Sequence, residues 1–367
     1  MGINEADRFV ESDKEAEEKD PEEVPIRDRK VVTQPYDIAI ETLVSQVEGG
    51  TIYLRPLSGR PRFQRGYVWT DKLASLLIES VLLRVPIPPC YLSQNDDFEL
   101  DVIDGQQRIY SFYRFVENQF PLRDLRVLTE LNGTRYFELP TKIQRQLSTY
   151  SLRCVLITNE SHPEIKFDVF ERLNTNTVPL NAQELRNCVY RGDLIDLVGE
   201  LAHQEEWLKA IGKKRPDKRL RDDELILRFF AFQMLGLNTY RTPLKHWLND
   251  AASKGRDLPA ESLESMRDSW LLALSNARKL FPAGRAFKRP GARAINRALF
   301  DLVMDTCSRV SSEFVSQSVD AFWSAFENLL RDEEFQDLIG RSVDHRARTQ
   351  RRFALWQEHI NSAVFKL

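Results

Sequence analysis

The sequence predicts an α+β protein: a small mixed sheet with its helices in the first half and an all-helical second half. Three observations carry that expectation. Strand-like apolar runs occur only before residue 174, and helical periodicities follow one another from there to the C-terminus. The third is FELDVIDGQQRIYSFYRF, Phe98–Phe115, which passes from a strand through a glycine-bearing polar turn straight into a helix.

Residues 1–34 read as a disordered acidic tail. They lack a periodic apolar face and contain Pro21 and Pro25. Residues 1–30 hold eleven acids and six bases, a net charge of −5 within a chain of −3, so the remainder is mildly basic. Such a tail either solubilises the chain or competes with nucleic acid for its basic surfaces.

From Tyr36 the pattern becomes periodic. Ile38, Ile40, Leu43, Val44 and Val47 predict a short amphipathic helix that Gly49 and Gly50 end, and TIYLRP predicts a strand. SGRPRFQRGYVW is a loop, after which Thr70 caps a helix over DKLASLLIESVLLR that Pro86 terminates. Cys90–Gln94 reads as a strand, and Asn95, Asp96 and Asp97 turn it into the next one. Residues 121–150 form a polar excursion with a hairpin turn expected at Asn132-Gly133 and a helical stretch around Ile143–Leu147. Leu152–Thr158 returns as a strand, and His162 and Pro163 open a helix over PEIKFDVFERLN.

Chemistry concentrates where the strand ending at Ile103 meets the helix. The first backbone N–H groups of a helix lack intrahelical partners and carry the positive end of its dipole, so they attract anions. Gly105 permits φ > 0, Gln106 and Gln107 offer amides, and Arg108 can fork two bonds onto a phosphate, with the Asp104 carboxylate beside them. A plain structural turn, with Asp104 capping the helix and Arg108 paired to an acid, explains the same residues. In FQRGYVW, Gln64 and Arg65 could reach that anion if the loops converge, while Tyr67 and Trp69 suit core packing better than base stacking. In FERLNTNTVPLNAQELRN, Arg172, Asn174 and Asn176 fall at or just after the helix end, and Asn181 with Glu184 looks like a capping box.

These three ordered motifs closely resemble the GmrSD N-terminal-like family from about Tyr36 to about Leu194. The resemblance implies a ParB/sulfiredoxin-like fold, a role in bacterial anti-phage or modification-dependent restriction systems, and nucleotide hydrolysis at the DGQQR box. It implies a nucleoside triphosphate, ATP or GTP, with Mg²⁺ plausible. Gly105 and Gln106 would hold phosphates, Gln107 or Asp104 would orient water, and Arg108 and Arg65 would neutralise developing charge. Gln64, Arg172 and Asn174 would complete the nucleotide site. The domains expected are therefore the tail at 1–34, the DGQQR domain at 35–175 and a helical domain at 176–367.

Two basic runs mark the helical half. Arg278–Phe300 holds Arg278, Lys279, Arg285, Lys288, Arg289, Arg293 and Arg297 without one acid, interleaved with Phe281 and Phe287. Lys213, Lys214, Arg215, Lys218, Arg219 and Arg221 form the second run. Together they suit a phosphate backbone, with Lys213, Lys214, Arg215, Arg285, Lys288, Arg289 and Arg293 as the expected contacts. The alternatives to a nucleotide hydrolase are a non-enzymatic DNA-binding module and a nuclease subunit that depends on a partner. His345, His359 and Asn361 mimic an HNH order, but their segment reads as one Arg-rich helix without the two strands such a site needs, so the nuclease half found in some relatives is not expected here.

Partners expected are DNA and an effector protein of the same system, with self-association left open. LASLLIESVLL and ELILRFFAF fall short of a membrane span, and the N-terminus lacks a signal-peptide pattern, so a cytoplasmic protein is expected. Cys90, Cys154, Cys188 and Cys307 are scattered without metal-site spacing and read as buried free thiols; no metal site is expected.

Overall fold

The computed structural model describes residues 31–367 except 55–66, 68, 96, 162, 174–180 and 342. Two units divide at the boundary between Asn181 and Ala182.

The first unit begins with β1 (Thr33–Pro35) and β2 (Ile38–Ala39), followed by α1 (Ile40–Glu48) and β3 (Ile52–Tyr53). β1 corrects the expectation of a tail through residue 34, because its backbone pairs with a distant strand. Ile38 likewise belongs to a strand, and the helix begins at Ile40. After α2 (Asp71–Leu82), β4 (Cys90–Gln94) and β5 (Leu100–Asp104) form the expected antiparallel hairpin. Phe98, assigned to the strand by its alternation, instead sits at φ 61° and is 68% exposed. Next come α3 (Gln106–Val116), α4 (Thr141–Ser148), β6 (Ser151–Leu152), β7 (Cys154–Ile157) and α5 (Pro163–Leu173).

The main sheet has the order β1-β7-β4-β5-β3, with β7·β4 and β5·β3 parallel and the other pairs antiparallel. β2 and β6 form a separate pair. The expected strand at Leu152–Thr158 is thus split at Arg153 so that its halves serve two sheets. Ile109, Phe112 and Phe115 of α3 are fully buried in one apolar core with Leu92, Val102, Ile78 and Leu43.

The excursion at 121–150 is no hairpin. Two 3₁₀ turns, Thr129–Leu131 and Tyr136–Glu138, flank Gly133. Glu79 of α2 holds it from below, accepting the N–H groups of Arg126 (3.2 Å), Val127 (2.7 Å) and Leu128 (2.9 Å). Burial raises the Glu79 pKa, but those three donors outweigh it and hold the carboxyl below its ordinary range.

The second unit runs from α6 (Ala182–Val189) through α7 (Asp193–Ala202), α8 (Glu205–Ile211), α9 (Arg221–Leu235), α10 (Leu244–Lys254) and α11 (Ala260–Leu280). It continues with α12 (Arg297–Cys307), α13 (Ser312–Gln317), α14 (Val319–Leu329), α15 (Glu333–Gly340) and α16 (Arg346–Trp356), and a π-helical end at Gln357–Phe365. Aromatic rings knit this core: Trp207 packs on Trp270 at 5.4 Å, and Phe287 meets Phe300 at 5.0 Å. His345 directly precedes α16, His359 and Asn361 lie in the helical end, and the Asn361 side chain accepts from the buried Thr306 hydroxyl at 2.6 Å.

Two carboxyls at the start of α9, Asp222 and Asp223, are wholly buried, and neither oxygen of Asp223 has a hydrogen-bond partner among the described residues. Burial pushes Asp222 up to about 7 despite the backbone N–H it accepts from Asp217. Burial and the charge of Asp222 push Asp223 well above the carboxylate range. Raised folded-state values mean that stability is fully present below the unfolded carboxylate range, near pH 4, and is lost as pH rises through the folded values. Asp223→Asn is therefore expected to stabilise the protein by about 2 kcal/mol near pH 8 and by much less near pH 5. Thermal melts at both pH values check this, and identical melting near pH 8 contradicts it.

Candidate functional site

β5 delivers Asp104 to the end of the sheet, where its chain turns through Gly105 into α3. Gly105 has φ 97° and ψ 6°, and no side chain caps the helix that follows. Only glycine fits. A Cβ there would lie 2.3 Å from Cys90 Sγ and 2.9 Å from Cys90 Cβ, so the turn rests directly on β4. Cys90, Cys154 and Cys307 are buried free thiols. The bond to Cys90 and burial push the Cys154 thiol up, which keeps it protonated and unreactive.

The three residues after the glycine divide into committed and uncommitted groups. Arg108 Nη2 pairs with Asp104 Oδ2 at 2.6 Å and reaches the Pro89 carbonyl at 3.4 Å, while Nη1 donates to the Pro88 carbonyl. With its side chain only 13% exposed, Arg108 ties the Pro88–Pro89 turn to the strand end. Gln107 Oε1 accepts the Trp69 backbone N–H at 3.2 Å. Gln106 differs: its Nε2 is buried and has no hydrogen-bond partner among the described residues. A buried amide donor beside an uncapped helix start is an unsatisfied group with a direction.

α3 also holds the end of FQRGYVW. Tyr67 Oη shares a 2.9 Å hydrogen bond with Ser111 Oγ, which donates to the Gln107 carbonyl at 2.7 Å. Arg114 lies 4.8 Å over the Tyr67 ring and pairs with Asp71 at 3.0 Å. Trp69 packs against the core. Gln64 and Arg65 lie outside the described residues.

For the third motif, Phe167 and Phe170 are buried and Arg172 is exposed at the end of α5, with no described contact to Asp104–Arg108. Asn174 and Asn176 lie outside the described residues. Lys166, which the sequence did not single out, is buried and donates to the Gln94 carbonyl at 2.8 Å, pinning α5 to the end of β4. Its only signal was a lysine one residue before the apolar stripe. Glu184, read as half of a capping box, is buried and accepts from Arg219 Nη2 at 2.9 Å.

In the helical unit, Lys213, Lys214, Arg215, Arg285 and Arg293 are exposed, whereas Lys288 and Arg289 are half-buried. Lys288 donates to the carbonyls of Ile211 (2.9 Å) and Gly284 (2.7 Å), so its ammonium is already held by the protein. Among the described residues no group of three or more His, Cys, Asp or Glu side chains could hold a metal, and no helix is long and apolar enough to cross a membrane.

A small mixed sheet, a left-handed glycine just after β5 and an uncapped helix define a DGQQR-type α+β domain followed by helices. Residues 40–191 match the family model described as GmrSD restriction endonuclease, N-terminal domain. The resemblance read from the motifs holds over that range, and the match indicates a component of a restriction system, hence of phage defence. No curated protein and no solved structure matches the chain.

Proposed function

We propose that the DGQQR junction binds a nucleoside triphosphate, ATP or GTP, and hydrolyses it within a restriction system directed at DNA. The observation that carries this reading is the buried Gln106 amide, unpartnered among the described residues and placed at the open N-terminus of α3 beside Asp104. In this reading the helix start, Gly105 and Gln106 hold phosphate oxygens, and Asp104 or Gln107 orients the attacking water. Arg108, with Arg65, neutralises charge developing on the transferred phosphoryl group. Arg108 acts from a fixed position, because the proline carbonyls already orient its guanidinium. Gln64, Arg172 and Asn174 supply further contacts to the nucleotide. A Mg²⁺ arriving on the phosphates would find one carboxylate, Asp104, and would supply charge neutralisation. The family's ParB/sulfiredoxin-like architecture, cytoplasmic setting and neighbouring effector protein belong to the same proposal.

The commitment of Arg108 to Asp104, Pro88 and Pro89 favours a second reading, in which the junction is a structural turn in a non-enzymatic DNA-binding module.

Phosphate release from ATP, GTP, CTP and UTP, with and without duplex DNA, separates the two. Gln106→Ala removes no described protein hydrogen bond, so it is expected to leave the fold intact and lower kcat/KM about 10- to 100-fold. Asp104→Asn is expected to lower kcat. Absence of turnover with all four nucleotides would overturn the hydrolase reading.

A further inference from the structure

The two basic runs, Lys213 to Arg221 and Arg278 to Arg297, are far apart in sequence, yet the structure brings their loops together. Gly212 and Gly284, both left-handed at φ 72°, meet back to back: a Cβ on Gly212 would lie 3.0 Å from the Gly284 Cα. Lys288 bolts the contact, its ammonium bridging the Ile211 and Gly284 carbonyls on the two sides. Lys213 and Arg285 stand close enough for their charges, after burial, to depress the Lys288 pKa.

The structure also sorts the cations. Arg219 pairs with Glu184, Arg221 with Asp217 and Arg297 with Asp344. Lys279 donates to the Ser312 carbonyl, and Arg289 lies against Gly340. Exposed around the joined loops are Lys213, Lys214, Arg215 and Arg285, with Arg278 at the rim of an adjoining groove of about 250 Å³. Phe281 and Phe287, which interleave the run in sequence, are buried against Phe322 and Trp207 and offer no surface for stacking a base.

We propose that the joined loops around Gly212 and Gly284 form a binding surface for the sugar-phosphate backbone of duplex DNA, with Lys288 as the positioning residue that holds the two loops in register. Clustered cations without neighbouring exposed rings recognise phosphate, independently of base sequence, whereas single-strand binders combine cations with aromatic platforms. The choice of DNA as the polyanion rests on the proposed function.

Fluorescence anisotropy of the full chain with two labelled duplexes of unrelated sequence, and with a single strand of equal length, tests this without nucleotide. Both duplexes are expected to bind alike. The triple variant Lys214→Ala/Arg215→Ala/Arg285→Ala is expected to lose at least about tenfold in affinity at low salt and to flatten the log–log salt slope by about 2 to 3. Adding Lys288→Met to the triple variant is expected to cost little more, because that side chain acts through the three removed; a further slope loss of about one would make it a direct phosphate contact and overturn its positioning role. Arg351→Ala, which removes an exposed cation paired with Glu334 elsewhere in the unit, is expected to bind as wild type. The surface is overturned by wild-type affinity and slope in the folded triple variant, by an equal loss in Arg351→Ala, or by a single strand binding tenfold tighter than duplex. Phosphate release without DNA is expected to be unchanged in the triple variant, so failure of the hydrolase reading and failure of this surface are separately visible.

Discussion

Arg228→Met is expected to destabilise the helical unit by about 3–5 kcal/mol, a large share of the roughly 5–15 kcal/mol available to a typical domain. Arg228 of α9 is wholly buried. Its Nε donates to Asp301 Oδ1 at 3.0 Å, Nη2 reaches the other oxygen of Asp301, and Nη1 donates to Asp344 Oδ1 at 2.8 Å. Arg352, also buried, lies 3.5 Å from Asp301, and Arg297 lies 3.3 Å from Asp344. Burial raises the Asp344 pKa, but Arg228 and Arg297 outweigh it and hold the carboxyl below its usual range. Removing Arg228 therefore leaves buried Asp301 with only the longer contact to Arg352 and Asp344 with only Arg297, and the cost comes from that under-compensated charge more than from lost attraction. Asp301→Asn on top of Arg228→Met is expected to recover part of the loss. Urea unfolding of the three proteins decides it, and a loss below about 1 kcal/mol in Arg228→Met would refute the argument.

The second large effect belongs to the DGQQR junction. Gly105→Ala is expected to cost about 2–5 kcal/mol, combining left-handed backbone strain with overpacking against Cys90. It should also displace Asp104 and Gln106, so nucleotide turnover, where present, falls with stability. Cys90→Ala removes the sulfur that the new methyl would strike while leaving the 2.9 Å contact with Cys90 Cβ and the strain. Partial recovery of stability in the Gly105→Ala/Cys90→Ala pair is the expected signature. A double variant no more stable than Gly105→Ala alone would show that the contact with sulfur is not the cause.

The junction was legible in the sequence because its signals are local. An apolar run, one glycine and a helical stripe announce strand, turn and helix without any knowledge of the rest of the fold. The hairpin before it and the helical half were readable for the same reason. What escaped depends on distant partners. Two polar residues and a proline, Thr33–Pro35, become a strand only because β7 offers an open edge, and Phe98 falls outside β5 although it alternates with Leu100 and Val102. Arg108 carried no mark of the proline carbonyls that occupy it. Arg219 and Arg221 looked like free members of a basic run until the fold supplied Glu184 and Asp217. Buried Asp222 and Asp223 were invisible for the opposite reason, since acids in a first helical turn ordinarily face water.

The sheet order has a consequence for the newly made chain. Gly105 rests on Cys90 of β4, and β4 has β5 on one side and β7, Cys154–Ile157, on the other. As the protein leaves the ribosome, the DGQQR box, which ends at Arg108, emerges before β7, which begins at Cys154. Until then the strand beneath the glycine has one bare edge, so a translation pause ahead of Cys154 exposes an unpaired strand that can recruit a neighbouring nascent chain.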